Sequence, residues 1–138
     1  MQPIRAINHI GIAVRSIDQQ RPLYEETLGA EFEGIEEVPD RKVRVAFFRV
    51  QGVRLELLEP TDPTSSVATF LDKRGEGLHH LAFTVADIRE RIAELKTAGL
   101  RLIDEVPRRG AHQMQIAFLH PKSTHGVLME LCEPAAHA

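Results

Sequence analysis

Two histidines and two glutamates occupy matching positions in an internal repeat of this chain. A shift of 71 residues places His9 on His80, and a shift of 74 residues places Glu56 on Glu130. The three additional residues fall within residues 120–126, where a loop can absorb them at little cost in chain entropy. Because this long period occurs only twice, it indicates a duplicated module rather than a solenoid array.

These four side chains are suited to holding one metal ion. Imidazole nitrogens and carboxylate oxygens bind divalent first-row ions such as Co²⁺, Mn²⁺, Ni²⁺ or Zn²⁺. Four protein ligands leave two positions of an octahedral ion open to a chelating substrate, which is typical of a catalytic site. A single strand histidine is more often a hydrogen-bonded structural residue. The repeat nevertheless favours a metal site, with His9, Glu56, His80 and Glu130 as its ligands.

Other polar residues near these positions are interpreted differently. His79 precedes His80 on a predicted strand, so its side chain points to the opposite face and is expected to be structural. Glu59 and Glu133 come three residues after the paired glutamates and are predicted to be solvated at the strand ends. Cys132, the single cysteine, is predicted to be a buried small apolar residue.

The hydrophobic pattern predicts the order β-α-β-β-β in each half of the chain. Helices are expected from Ser16 or Asp18 to about Leu28, with a kink if Pro22 lies beyond the first turn, over a linker at 64–74, and at 87–98. Strands are expected at residues 6–14, 32–37, 42–50, 52–58, 78–85, 101–105, 113–120 and 127–133.

The prediction is therefore a single α+β domain over residues 1–138, with module 1 at about 6–60 and module 2 at about 77–133. Two four-stranded sheets joined side by side would form an eight-stranded open cup. Helices would cover its outside, and the two histidines and two glutamates would lie inside.

Composition excludes several classes of protein. The 138 residues are 43% hydrophobic and 27% charged, with a net charge of −3, which is ordinary for a globular domain and offers no basic surface for nucleic acid. No apolar run approaches the roughly 18–20 residues that span a membrane, and the N-terminus lacks a signal-peptide pattern. With one cysteine and no internal disulfide, a cytoplasmic location is expected.

Four stretches resemble the vicinal oxygen chelate superfamily and, within it, the methylmalonyl-CoA epimerases. They are Asn8-His9-Ile10-Gly11-Ile12-Ala13-Val14, the run at residues 55–60, the run at 75–83 containing His79-His80, and the run at 117–131 containing His120-Pro121-Lys122-Ser123. The resemblance implies paired βαβββ modules, a homodimer, and a divalent ion, Co²⁺ before Mn²⁺, held by His9, position 56, His80 and Glu130. Some relatives have glutamine where this chain has Glu56.

The resemblance also implies a reaction, the epimerisation of (2R)- and (2S)-methylmalonyl-CoA. Removing the C2 proton gives an enolate, whose charge a metal chelated by the thioester and carboxylate oxygens would stabilise. Inversion requires two acid/base groups. Glu130 matches a position proposed in the family as both ligand and base. Some epimerases have glutamate where Val45 stands here, so Glu56 is the expected second group, with a metal-bound water as the alternative.

Four further residues are expected to contact the acyl-CoA substrate. Cations and hydroxyls in the loop at 107–112 and in the Lys122-Ser123 pair could hold its carboxylate or phosphates. The candidates are Arg109, His112, Lys122 and Ser123. The alternative for the charged members is ordinary solvation on exposed loops.

Three rival functions share this fold. Glyoxalase I also enolises a thioester-like adduct at a metal held by histidine and glutamate, but the His-Pro-Lys-Ser run argues against it. Extradiol dioxygenases use two histidines and one carboxylate, whereas this chain offers two glutamates. A metal-free binding module of the bleomycin-resistance type is the third alternative.

Overall fold

The computed structural model describes residues 2–136, and the chain divides into two compact units. The N-terminal unit is His9–His79, and the C-terminal unit combines the residues up to Asn8 with those from His80 onward. Strand β1, Ala6–Ala13, therefore contributes its first three residues to the C-terminal unit. Within residues 2–136, no helix has the length and apolar character needed to cross a membrane.

The N-terminal unit contains four strands and two α-helices. After β1 come α1 (Ile17–Pro22), a π-helical turn (Leu23–Thr27), β2 (Glu31–Val38), β3 (Val43–Val50), β4 (Val53–Pro60) and α2 (Ser66–Arg74). The hydrogen-bonded order of the strands is β2-β3-β4-β1. β1 runs parallel to β4, and the other neighbours are antiparallel.

The helix after β1 begins where the sequence predicts, but its hydrogen-bonding pattern changes from α-helical to π-helical after Pro22. The Ser16 hydroxyl accepts a hydrogen bond from the Gln19 N–H at 3.2 Å and caps α1. Pro22 has no N–H to donate within an α-helix, and the chain continues as the π-helical turn to Thr27. Gly29 follows with a φ of +74°, which a glycine adopts without strain.

One hydrophobic cluster of this unit lies between these helical turns and one face of the sheet. Its buried members are Val14, Ile17, Ala46, Phe48 and Leu57, with Tyr24 and Phe32 packed against them. Tyr24 and Phe48 place their ring centroids 5.5 Å apart. From β1 and the residue after it, Ile12 and Val14 join this cluster, which includes Ile17 of α1.

The C-terminal unit repeats this plan with a longer helix and shorter strands. It contains the end of β5 (Gly77–Thr84), α3 (Ile88–Thr97), β6 (Arg108–Arg109), β7 (Gln115–Leu119) and β8 (Met129–Glu133). The strand order is β5-β8-β7-β6, with β5 parallel to β8. The residues before His9 join the same unit, since the Arg5 N–H donates to the Thr84 carbonyl at 2.9 Å.

The predicted strand at residues 101–105 is wrong. Only an isolated bridge between Leu102 and Leu119 forms there, and the strand beside β7 is Arg108–Arg109 instead. The carboxylate of Asp104 accepts a hydrogen bond from the Phe118 N–H at 2.9 Å and so takes a backbone donor that a regular ladder would use. The side chain of Asp104 thereby replaces a strand pairing.

Two packed clusters lie in the C-terminal unit. Ile88, Ile92 and Leu95 of α3 pack on Ala117, Leu119 and Leu131. A separate cluster contains Ala82, Met114, Ile116, Phe118 and Cys132. Because strand residues alternate between faces, these two clusters occupy opposite sides of β7 and β8.

Candidate functional site

His9 and Glu56 form a buried pair in the N-terminal unit. The imidazole Nδ1 of His9 lies 3.2 Å from Oε2 of Glu56, and the two side chains are 3% and 5% exposed. β1 and β4 bring them together, because the parallel register sets His9 opposite Arg54 and Gly11 opposite Glu56. A carboxylate this buried requires a compensating charge or hydrogen bonds.

His80 and Glu130 form the corresponding pair in the C-terminal unit. Nε2 of His80 lies 3.7 Å from Oε1 of Glu130, and the two side chains are 0% and 1% exposed. The ring of His80 meets that of Phe118 edge-on, with centroids 5.4 Å apart. The structure thus brings together the histidine and glutamate that the repeat predicts for each unit.

The register around the two glutamates is the same in both units. Glu56 has Gly11 opposite it on β1 and Phe47 opposite it on β3. Glu130 has Ala82 opposite it on β5 and Phe118 opposite it on β7. A small residue on one side leaves space beside the carboxylate, and an aromatic ring on the other side excludes water.

One neighbour distinguishes the two carboxylates. The thiol of Cys132 lies 3.3 Å from Oε1 of Glu130, whereas the matching position after Glu56 is Leu58. Cys132 is fully buried, as the sequence predicts, and it also contacts the carboxylate. Val45 is 2% exposed and belongs to the apolar core. Because a valine side chain has no titratable group, position 45 supplies no acid/base group in the N-terminal unit.

The neighbouring residue His79 is buried at 9% exposure, and its ring meets Phe70 with centroids 4.9 Å apart. The ring of His79 thus packs on an apolar ring of the same unit. Ser65 caps α2, since its hydroxyl oxygen accepts the Val67 N–H at 3.2 Å.

The prediction that Glu59 and Glu133 are merely solvated is wrong. The Glu59 carboxylate accepts the Ile17 N–H at 2.9 Å, and the Glu133 carboxylate accepts the Ile88 N–H at 2.9 Å. Each therefore binds the first residue of the helix that follows the histidine strand of its unit. The repeat itself carried this signal, because Glu59 and Glu133 match under the same shift as Glu56 and Glu130.

The four candidate substrate-binding residues lie in the C-terminal unit. Arg109 is exposed on β6, and His112 is exposed in a 3₁₀ turn with a φ of +55°. The Lys122 N–H donates to Nδ1 of His120 at 3.1 Å while its side chain is exposed. The Ser123 hydroxyl oxygen accepts the Arg101 N–H at 2.8 Å, so this oxygen also has a structural partner.

Comparison with known proteins identifies the family. Residues 8–118 match the Glyoxalase/Bleomycin resistance protein/Dioxygenase superfamily. This chain belongs to that superfamily. It is 48% identical to the uncharacterized protein YqjC of Bacillus subtilis, over 93% of this chain and 91% of that one.

Two further relatives carry an enzyme name. The ethylmalonyl-CoA/methylmalonyl-CoA epimerase of Cereibacter sphaeroides is 38% identical, over 93% of this chain and 97% of the relative. A solved structure of methylmalonyl-CoA epimerase in complex with methylmalonyl-CoA and NH4⁺ is 39% identical, covers 97% of each chain and has a TM-score of 0.93. These likenesses confirm the resemblance to the epimerases and the predicted fold class, two βαβββ modules with eight strands.

Proposed function

We propose that this chain epimerises methylmalonyl-CoA by removing and returning the proton at C2. The observation that carries this proposal is the buried histidine–glutamate pair repeated in both units of a chain that resembles the epimerases along almost its whole length. Two acid/base groups suit an inversion, because one proton must be removed from one face of a carbon and another added to the opposite face.

We further propose that His9, Glu56, His80 and Glu130 together hold one divalent ion, with Co²⁺ before Mn²⁺, Ni²⁺ or Zn²⁺. The donor set fits such an ion, because imidazole nitrogen and carboxylate oxygen suit first-row metals and two carboxylates balance a 2+ charge. The near-complete burial of both pairs supports this assignment. A bound ion would act as a Lewis acid that lowers the energy of the enolate.

Within the chain, Glu130 and Glu56 are the proposed acid/base groups. One carboxylate takes the C2 proton on one face, and the other delivers a proton to the opposite face, so the C–H bond that breaks is replaced by one of inverted configuration. Phe118 and Phe47 lie opposite the two carboxylates in the strand ladders, where their rings exclude water from the proton transfer. Because the buried valine at position 45 cannot transfer a proton, Glu56 is the proposed proton carrier of the N-terminal unit.

The substrate would be held by residues of the C-terminal unit. Lys122, Arg109 and His112 offer exposed cations or donors for the carboxylate or the CoA phosphates, and the Ser123 hydroxyl retains a proton to donate. We also propose a homodimer in a reducing cytoplasm, in keeping with the resemblance and with the buried thiol of Cys132. Size-exclusion chromatography with light scattering tests the dimer.

Proton NMR of methylmalonyl-CoA in deuterated water tests the reaction directly. We expect the C2 proton signal to disappear at a rate that depends on both the protein and added Co²⁺. Ethylmalonyl-CoA is assayed in parallel, because the name of the Cereibacter sphaeroides relative includes it. A Co²⁺-loaded chain that leaves the C2 signal intact would disprove the proposal, and turnover of the glutathione adduct of methylglyoxal would favour a glyoxalase instead.

The Glu56→Gln variant tests the second acid/base group. It keeps the size and an oxygen ligand while removing the proton acceptor, so we expect metal content to persist while epimerisation falls by about 10²–10⁴-fold, the usual contribution of general acid–base catalysis. Undiminished epimerisation with metal content intact would exclude Glu56.

A further inference from the structure

Glu59 and Glu133 make the same contact in the two units, at corresponding positions. Each carboxylate accepts the N–H of the first residue of a helix at 2.9 Å, Ile17 in α1 and Ile88 in α3. Glu59 also accepts from Nη1 of Arg44 at 2.9 Å, and its side chain is only 18% exposed. Gln115 stands opposite Glu133 where Arg44 stands opposite Glu59.

Each contact joins the strand that carries a paired glutamate to the element that follows the histidine strand. Glu59 lies three residues after Glu56 on β4, and Ile17 begins the helix that follows β1. A backbone hydrogen bond also joins the ends of β1 and β4, since the Val14 N–H donates to the Leu58 carbonyl at 3.0 Å. In the C-terminal unit the Val85 N–H donates to the Cys132 carbonyl at 2.9 Å.

Local capping of the helices does not account for these contacts. Ser16 already caps α1 through the Gln19 N–H at 3.2 Å, and Asp87 caps α3 through the Glu90 N–H at 3.1 Å. The glutamates come from a different strand, 42 and 45 residues distant in sequence from Ile17 and Ile88. A contact between such distant segments restrains the sliding of one strand along the other.

We infer that Glu59 and Glu133 are positioning residues that fix the register between the histidine strand and the glutamate strand of their own unit. Glu59 holds His9 beside Glu56, and Glu133 holds His80 beside Glu130. The importance of this register for activity rests on the proposed function, in which His9, Glu56, His80 and Glu130 are the metal ligands. The effect on geometry exists in the metal-free protein as well.

NMR of the histidine rings in the metal-free protein tests this inference. We expect Glu59→Ala to shift the imidazole resonances of His9 and leave those of His80 in place, and Glu133→Ala to do the reverse. Ser16→Ala and Asp87→Ala are the matched controls, because they remove the local caps of the same helices and should shift neither ring. Glu59→Gln and Glu133→Gln keep an oxygen that accepts the N–H, so they should restore the wild-type resonances and remain folded if the alanine variants do not.

Titration with Co²⁺, followed by its visible absorption, gives the second measurement. We expect the affinity to fall about tenfold in each alanine variant, as for residues that orient metal ligands, and to stay unchanged in the two cap variants. Alanine variants that lose thermal stability but keep both the ring resonances and the Co²⁺ affinity would overturn the inference. If the wild-type chain binds no Co²⁺, the proposed function fails, while the ring resonances still decide the role of Glu59 and Glu133.

Discussion

The two units present the same four-residue arrangement on different frameworks. In each unit, a histidine strand runs parallel to a glutamate strand, and a second glutamate binds the start of the following helix. Outside that arrangement they diverge, since β2 has eight residues where β6 has two, and α1 ends after six residues where α3 continues for ten. The features that the units share are therefore those that surround the histidine–glutamate pair.

The shared arrangement is not an identical one. His9 approaches Glu56 through Nδ1 at 3.2 Å, whereas His80 approaches Glu130 through Nε2 at 3.7 Å. Glu130 also has the Cys132 thiol at 3.3 Å, where the N-terminal unit has Leu58. The two carboxylates thus occupy different polar surroundings.

The largest expected effect comes from removing one carboxylate in either unit. If the four residues hold one ion, Glu56→Ala and Glu130→Ala each reduce the Co²⁺ affinity by more than about a hundredfold, because the loss of a ligand exceeds the loss of an outer partner. Elemental analysis should give one ion per wild-type chain and none in either variant after dialysis. Two ions per chain, with each variant losing one, would show instead that the units bind metal separately.

The free energy of unfolding should depend equally on the first residue of α1 and the first residue of α3. Ile17 and Ile88 are both 0% exposed and occupy matching positions under the repeat. Truncation to alanine in either position should lower the free energy of unfolding by about 2–5 kcal/mol through lost burial and a cavity. Urea denaturation measures both, and a cost confined to one variant would show that the units contribute unequally to the core.

The smallest expected effect concerns surface ion pairs and their pH dependence. Hydrogen bonding to Arg49 lowers the pKa of Glu33, and hydrogen bonding to Lys96 lowers the pKa of Glu105. A carboxyl whose pKa is lower in the folded chain stabilises it above the unfolded pKa, and this contribution is lost as the pH falls through the folded pKa.

Accordingly, Glu33→Gln should lower the free energy of unfolding at pH 7 by less than about 1 kcal/mol, and Glu105→Gln should have a smaller effect. Urea denaturation at pH 7 and pH 3 checks this, with Glu26→Gln on the exposed π-helical turn as the control. A difference from wild type that is no smaller at pH 3 than at pH 7 would indicate a role other than ion pairing.

The two-module fold could be predicted from the amino-acid sequence alone, because period-2 and helical patterns show which face of each element is buried. The sequence also selected His9, Glu56, His80 and Glu130 as candidates, since duplication places the same residue type at the same point of two modules, and the structure pairs His9 with Glu56 and His80 with Glu130. The sequence placed the start of the first helix at Ser16 or Asp18, of which Ser16 is the cap, because a helix start needs a nearby side-chain acceptor for its first N–H groups.

The hydrogen bonds between distant segments could not be predicted from the sequence and depend on the three-dimensional packing. Asp104 replaces a strand pairing by accepting the Phe118 N–H, and Glu59 and Glu133 bind helix starts more than 40 residues away in sequence. Local sequence patterns show where a carboxylate lies along its strand, but not which backbone N–H lies within hydrogen-bonding distance of it. That depends on the register between strands, which long-range packing fixes.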